Sequence, residues 1–144
     1  MDSLLKSNDS LFASLNRLPF FTYINVGLES ADPATLALLK KPVNVKDVEK
    51  AFKKMFAINR KYEKVEVTAN FVFGGGLPQS HFLALCELTG NTLTHFYNKG
   101  AVYLSPFIDG KRKVRETKRE LLKKFNKVKA LSRLPTFIYL IQRL

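Results

Sequence analysis

The sequence predicts an α/β protein built around a parallel sheet, and three observations lead to this fold class. β-branched and aromatic residues are concentrated at 20–28, 65–73 and 100–105, as is typical of buried strands. Segments with apolar residues at helical spacing lie between these runs. No internal repeat, low-complexity segment or Pro/Gly/Ser-rich linker divides the chain. Strands that alternate with helices pair in parallel through right-handed crossovers, so we expect βα units.

Capping and breaking residues delimit the elements. The predicted order is a helix over 2–17, a strand over 20–28, a helix over 33–41, a helix over 45–62, a strand over 65–73, a helix over 78–88, a strand over 100–105 and a basic amphipathic helix over 114–131. Pro19 ends the first helix, and Asp32 and Pro33 suit the N-cap and first position of the second. The apolar segment 135–143 fits either a helix or a strand, because its periodicity does not distinguish them.

Composition excludes several classes of protein. The single cysteine, Cys86, excludes an internal disulfide, a thiolate zinc site and a self-contained iron–sulfur cluster. His81 and His95 have no cysteine or acid at ligand spacing, so we expect no metal site. No apolar run reaches the ~18 residues of a spanning helix, and the N-terminus lacks the apolar core of a secretory signal. We therefore expect a cytoplasmic protein with no membrane partner.

The positive charge is concentrated near the C-terminus. The net formal charge is +12, and residues 109–144 contribute +9 of it, from 12 Lys and Arg against Asp109, Glu116 and Glu120. Such a segment binds nucleic acid in some proteins and is the solvated face of an ordinary helix in others. Phe125 is the only aromatic residue of the basic helix, which gives little support for stacking on bases.

Ligands of parallel sheets bind at the carboxyl ends of the strands. Segments 27–30, 70–76 and 105–107 lie at the carboxyl ends of the predicted strands, and Glu29 is the only acid among them. A carboxylate there accepts hydrogen bonds from both hydroxyls of a ribose; the alternative is a solvated loop acid or one that stabilises the next helix. Gly74–Gly76 allows close approach of a ligand to the backbone, or forms an ordinary turn, and lacks the residues of a phosphate-binding loop.

Three segments together resemble the radical S-adenosylmethionine (radical SAM) superfamily. INVGLESADPATLALLKKP at 24–42 resembles the fourth strand, its G-[LIV]-[EQ]-S/D turn and the following helix. VTANFVFGGGLP at 67–78 resembles the fifth strand with its glycine-rich turn, and VYLSPF at 102–107 resembles the sixth. The resemblance implies a partial (β/α) barrel of about three parallel βα units, half of a six-unit barrel. Residues 1–108 would form this core, and residues 109–144 a basic helical extension packed on it.

The resemblance also implies a site for S-adenosylmethionine. Glu29, in the same turn as Ser30, would contact the ribose, and Lys41 would approach the methionine carboxylate. Asn70 takes the polar position of the fifth strand, with the backbone of Phe73 and Gly74 near the adenine. Ser105 and Pro106 would support the adenine edge. No residue of the chain is implied as catalytic or as a metal ligand.

The chain departs from the family at its cluster motif. The C-x-x-x-C-x-x-C sequence and the glycine-rich turn that receives the methionine amino group are absent, so a [4Fe–4S] cluster is implied only in a missing N-terminal half. We expect a split or truncated part of a radical SAM enzyme that is inactive alone. Its partner would be that half, or another copy through the open sheet edge. The alternatives are a nucleic-acid-binding module that uses residues 109–144, or a non-functional remnant.

Overall fold

The computed structural model describes residues 1–91, 99–107 and 117–139. In chain order its elements are α1 (Asp2–Lys6), α2 (Asp9–Asn16), β1 (Thr22–Glu29), α3 (Pro33–Leu38), α4 (Val45–Lys61), β2 (Val65–Phe73), α5 (Gln79–Gly90), β3 (Val102–Pro106), α6 (Lys118–Leu131) and β4 (Thr136–Ile138). The described residues do not include His95, Asp109, the start of the basic helix at 114–116 or residues 140–143 of the last apolar segment.

Four parallel strands form one sheet in the order β1-β2-β3-β4, which is also their order in the chain. The α/β class and the parallel pairing are therefore confirmed. The sheet has one strand more than the three expected, because part of segment 135–143 pairs with β3 as β4. Val102 N donates to Pro135 O at 2.9 Å, and Tyr139 N donates to Leu104 O at 2.8 Å. One sheet thus contains strands from both sides of the boundary that the sequence places after residue 108.

The N-terminal segment forms two helices, so the prediction of one continuous helix over 2–17 is wrong. α1 ends at Ser7, whose backbone is extended with ψ 139°. Asn8 then caps α2, because its side-chain oxygen accepts a hydrogen bond from Leu11 N at 3.2 Å. Ser and Asn side chains that bond to nearby backbone compete with a continuous helix, which explains the break.

α3 begins as predicted and ends earlier. The Asp32 carboxylate caps it by accepting hydrogen bonds from Thr35 N at 2.9 Å and Thr35 Oγ1 at 2.7 Å. The helix ends in a Schellman motif in which Lys40, with φ 52°, occupies the position usually taken by glycine. Lys41 N donates to Leu36 O at 3.0 Å. This reversal directs the chain at Lys41 back toward the end of β1.

Helices pack on one face of the sheet, and the other face carries exposed side chains. Alternate residues of the strands, such as Val67, Phe71 and Leu104, are fully buried in the core formed with the helices. Right-handed crossovers between strands in sequential order place the helices on this one face. The other face, which we call the open face, carries Tyr23 with 72% exposure and Phe137 with 50%.

Side chains complete the sheet at its amino end, where β2 extends beyond β3. The last backbone bond to β3 on this side is from Ala69 N to Ala101 O at 3.0 Å. Two residues closer to the amino end of β2, the side chain of Asn59 makes the hydrogen bonds that a neighbouring strand would make. Its Nδ2 donates to Val67 O at 2.8 Å, and its Oδ1 accepts from Val67 N at 2.6 Å. The Lys99 ammonium donates to three backbone carbonyls, including Glu63 O at 2.9 Å. These bonds satisfy backbone groups of β2 at its amino end, beyond the last residue that pairs with β3.

Candidate functional site

Glu29 lies in a strained turn at the carboxyl end of β1. Its φ is 66°, and Ser30 N donates to Leu28 O at 2.8 Å, so the three residues form a γ-turn of the rare positive-φ kind. The pairing with β2 shifts register between Gly27 and Glu29, as at a β-bulge. A non-glycine residue in this conformation costs on the order of 1–3 kcal/mol, and such strain is concentrated at functional sites.

The turn places the Glu29 carboxylate over the backbone of Gly27. A Cβ atom at Gly27 would lie 2.9 Å from Glu29 Oε1, so a larger residue there would require the carboxylate to move. The Lys41 ammonium donates to the same oxygen at 3.2 Å, and both side chains are partly exposed. Gly27 is the register partner of Asn70 on β2. The carboxylate therefore lies beside the next strand, on the open face.

Asn70 and Ser105 continue this arrangement across β2 and β3. Ser105 Oγ donates to Asn70 Oδ1 at 2.9 Å, and both residues are partly buried. Asn70 Nδ2 has no hydrogen-bond partner among the residues that the structure describes. We call Glu29, Asn70 and Ser105 the polar row. It presents a carboxylate, an amide donor and a hydroxyl on three neighbouring strands.

A buried network lies beneath the polar row. Ser30 and His81 are fully buried, and Ser30 Oγ lies 2.7 Å from His81 Nδ1. His81 Nε2 lies 2.9 Å from Val72 O, which only accepts, so Nε2 carries the proton and Nδ1 accepts from the Ser30 hydroxyl. Ser30 Oγ in turn accepts from Asp32 N at 2.9 Å. These bonds tie the turn after β1 to α5 and β2.

The protonation states agree with this network. Burial lowers the pKa of His81, although the bond to Val72 O and the charge of Asp32 oppose it, so the imidazole is neutral at pH 7. Burial raises the pKa of Asp32, but hydrogen bonds from Thr35 and Ser80 outweigh it and hold that pKa below its usual value. The network is therefore a neutral imidazole beside a charged capping carboxylate, and its hydroxyl is enclosed.

The structure brings together some of the residues that the sequence assigns to the cofactor. Glu29 contacts Lys41, and Asn70 contacts Ser105. Ser30 is turned inward, and its hydroxyl is not presented to a ligand.

The remaining assigned residues form the ends of β2 and β3. The Phe73 side chain is in the core, and its carbonyl accepts a bond from Phe107 N at 2.6 Å. Gly74 has φ 114°, a conformation that favours glycine and turns the chain away after β2. Pro106 pairs with Phe73 at the end of β3. At the carboxyl end of β2, Phe73 therefore contributes backbone atoms, and its contact with adenine stays a prediction.

Sequence reasoning missed an aromatic cluster on the open face. The Tyr103 ring stacks on Phe137 at a centroid distance of 5.5 Å and contacts Tyr139 at 5.4 Å. Tyr103 is the register partner of Asn70, so the cluster adjoins the polar row. The alternation of Thr136, Phe137 and Ile138 is its only sequence signal, and it is too short to identify a strand.

A groove lies on the helical side of the sheet. This groove of about 550 Å³ runs between α4 and α5 and is lined in part by Phe52, Phe56, Ala84 and Leu88. The sheet separates this groove from the open face, so the two do not form one site.

The described parts of the chain contain no group of three or more His, Cys, Asp or Glu that could hold a metal ion. They also contain no helix of the length and apolar character needed to cross a membrane. Comparison with protein-family models, curated proteins and solved structures finds no match to this chain. The site is therefore interpreted from its own geometry, and the radical SAM relationship and the cytoplasmic location stay predictions.

Proposed function

We propose that this chain forms the carboxyl-terminal half of a βα barrel of the radical SAM type. In this proposal the polar row binds the nucleoside part of S-adenosylmethionine. The observation that carries the proposal is the polar row itself. It lies at the carboxyl ends of three neighbouring parallel strands, where such sheets bind their ligands.

The strand order supports a barrel wall. In a doubly wound sheet the strand order reverses and helices cover both faces. In a βα barrel each strand pairs with the one before it, and the helices lie outside. The order β1-β2-β3-β4 with one open face matches the second arrangement. The open face would then be the interior wall, and the aromatic cluster would border the ligand.

The chemistry of the polar row fits a nucleoside. A carboxylate offers about four acceptor positions, and Lys41 occupies one of them, so Glu29 can also accept bonds from two ribose hydroxyls. Asn70 Nδ2, which has no partner within the described ranges, can donate to a ring nitrogen of adenine. Lys41 lies beside Glu29, within reach of the methionine carboxylate of a ligand whose ribose Glu29 holds.

A [4Fe–4S] cluster does not fit this chain. Cys86 is its only cysteine. We therefore place the cluster in a separate barrel half, which would pair with the free edge of β1. The radical reaction needs that half, and this chain contributes the nucleoside contacts.

Nucleoside binding by the full chain tests the proposal. We expect adenosine to perturb the NMR signals of Glu29, Asn70 and Ser105, and 2′,3′-dideoxyadenosine to bind about tenfold or more weakly, because hydrogen bonds to a charged group contribute roughly 1.5–3 kcal/mol each. Glu29→Ala should remove the difference between the two nucleosides. Glu49→Ala, which removes an exposed acid from α4, is the matched control and should preserve it.

Three results would overturn the proposal. They are equal affinity of the wild-type chain for both nucleosides, signal changes away from the polar row, and no adenosine binding at millimolar concentration. A large loss of stability in Glu29→Ala, with nucleoside discrimination intact, would assign the carboxylate to holding the turn.

A further inference from the structure

One face of α6 is a row of cations. Leu121, Phe125 and Val128 are buried against the core. Arg119, Lys123 and Lys127 follow at i, i+4 and i+8 on the opposite side, and all three are exposed. We call these three residues the basic ridge. A helix rises 1.5 Å per residue, so their Cα atoms are about 6 Å apart along the axis.

The basic ridge is not neutralised within the described part of the chain. Neither Lys41–Glu29 nor Lys61–Asp9, the salt bridges given for the described residues, involves Arg119, Lys123 or Lys127. Glu120 is the acid of this helix, and its carboxylate is engaged in the capping box with Thr117. Among the described residues, no acid is therefore paired with the three cations of the ridge.

We infer that the basic ridge binds the phosphate backbone of double-stranded nucleic acid. Successive cations along one line suit a regular array of phosphates, and the net charge of +12 attracts a polyanion at long range. A membrane surface fits less well. Helices that lie on membranes insert their apolar face into the lipid, and α6 has Leu121, Phe125 and Val128 packed in the protein core. The contact is to backbone and carries no sequence preference.

The salt dependence of binding to a labelled 20-base-pair duplex DNA tests this inference. The variant Arg119→Gln/Lys123→Gln/Lys127→Gln should lower the slope of log affinity against log salt by about 2.7, since each lost phosphate contact contributes about 0.9. When the salt concentration rises from 50 to 200 mM, the factor by which this variant loses affinity is then about 40-fold smaller than the factor for the wild type. The control is Lys46→Gln/Lys50→Gln/Lys53→Gln, which removes the same charge from exposed positions of α4 and should leave the slope nearly unchanged. Circular dichroism and thermal melting establish that both variants fold.

Three results would overturn the inference. The first is no duplex binding by the wild-type chain at 50 mM salt. The second is an equal decrease of slope in both variants, which would show attraction to net charge without a defined ridge. The third is ridge-dependent binding to phosphatidylserine vesicles without binding to the duplex, which would identify a lipid surface. None of these outcomes depends on nucleoside binding at the polar row.

Discussion

The strained turn at Glu29 makes a prediction that separates function from stability. Glu29→Ala and Glu29→Gly both remove the carboxylate and its bond to Lys41. That ion pair is partly exposed, and such pairs contribute about 0–1 kcal/mol. Alanine keeps a Cβ in the left-handed conformation at φ 66°, whereas glycine adopts it freely. The contribution of the ion pair therefore cancels when the two variants are compared.

The remaining difference is the backbone strain. The left-handed region costs a residue with a Cβ about 1–2 kcal/mol. We therefore expect Glu29→Gly to have a free energy of unfolding about 1–2 kcal/mol higher than that of Glu29→Ala, and to equal or exceed that of the wild type. For a chain of this size each kcal/mol corresponds to about 2–4 °C in Tm. Urea denaturation with a common m-value measures the difference directly.

Equal stability of the glycine and alanine variants would refute this reasoning, because it would mean that the turn relaxes when the carboxylate is lost. If the expected order is found and both variants lose ribose discrimination, the wild-type residue lowers stability in favour of the site. Proteins accept that exchange where a strained residue performs a function.

Two further predictions concern the framework of the site. Asn59→Ala should lower the free energy of unfolding by roughly 2–6 kcal/mol, because it leaves two buried backbone groups of Val67 without partners. Urea denaturation measures this loss; a loss of under 1 kcal/mol would contradict the role of Asn59 as a surrogate strand, and exposed Asn126→Ala on α6 is the neutral control. The pKa of His81 is lowered from 6.5, so the unfolded chain binds the extra proton first on acidification. The contribution of His81 to the free energy of unfolding should be complete above pH 6.5. Below pH 6.5 it should decrease by up to about 1.4 kcal/mol per pH unit. If the free energy of unfolding of His81→Gln changes with pH as steeply as that of the wild type, this prediction is wrong.

The sequence locates those parts of the fold that local chemistry determines. Asp32 and Pro33 define the start of α3 because capping and a fixed φ act within one turn of chain. Glu29 could be assigned to the carboxyl end of β1 because it directly follows an apolar run. β4 could not be assigned, since a three-residue strand exists only through its pairing with β3.

The direction of individual side chains at the site was harder to predict. The register shift between Gly27 and Glu29 changes which face the following residue meets, and this turns Ser30 inward. Its partner His81 lies 51 positions away in the sequence, so no local pattern relates the two residues. The sequence placed Ser30 in the cofactor site only because it adjoins Glu29 in the same turn.

The agreement between strand order and chain order has a consequence for synthesis on the ribosome. Each βα unit pairs with a strand that has already been made, so the sheet grows in one direction as the chain emerges. No early strand waits for a distant later one, which keeps the loops that must close short. No strand among the described residues pairs with the outer edge of β1, and a strand from another polypeptide can join that edge without displacing the pairings between β1 and β4.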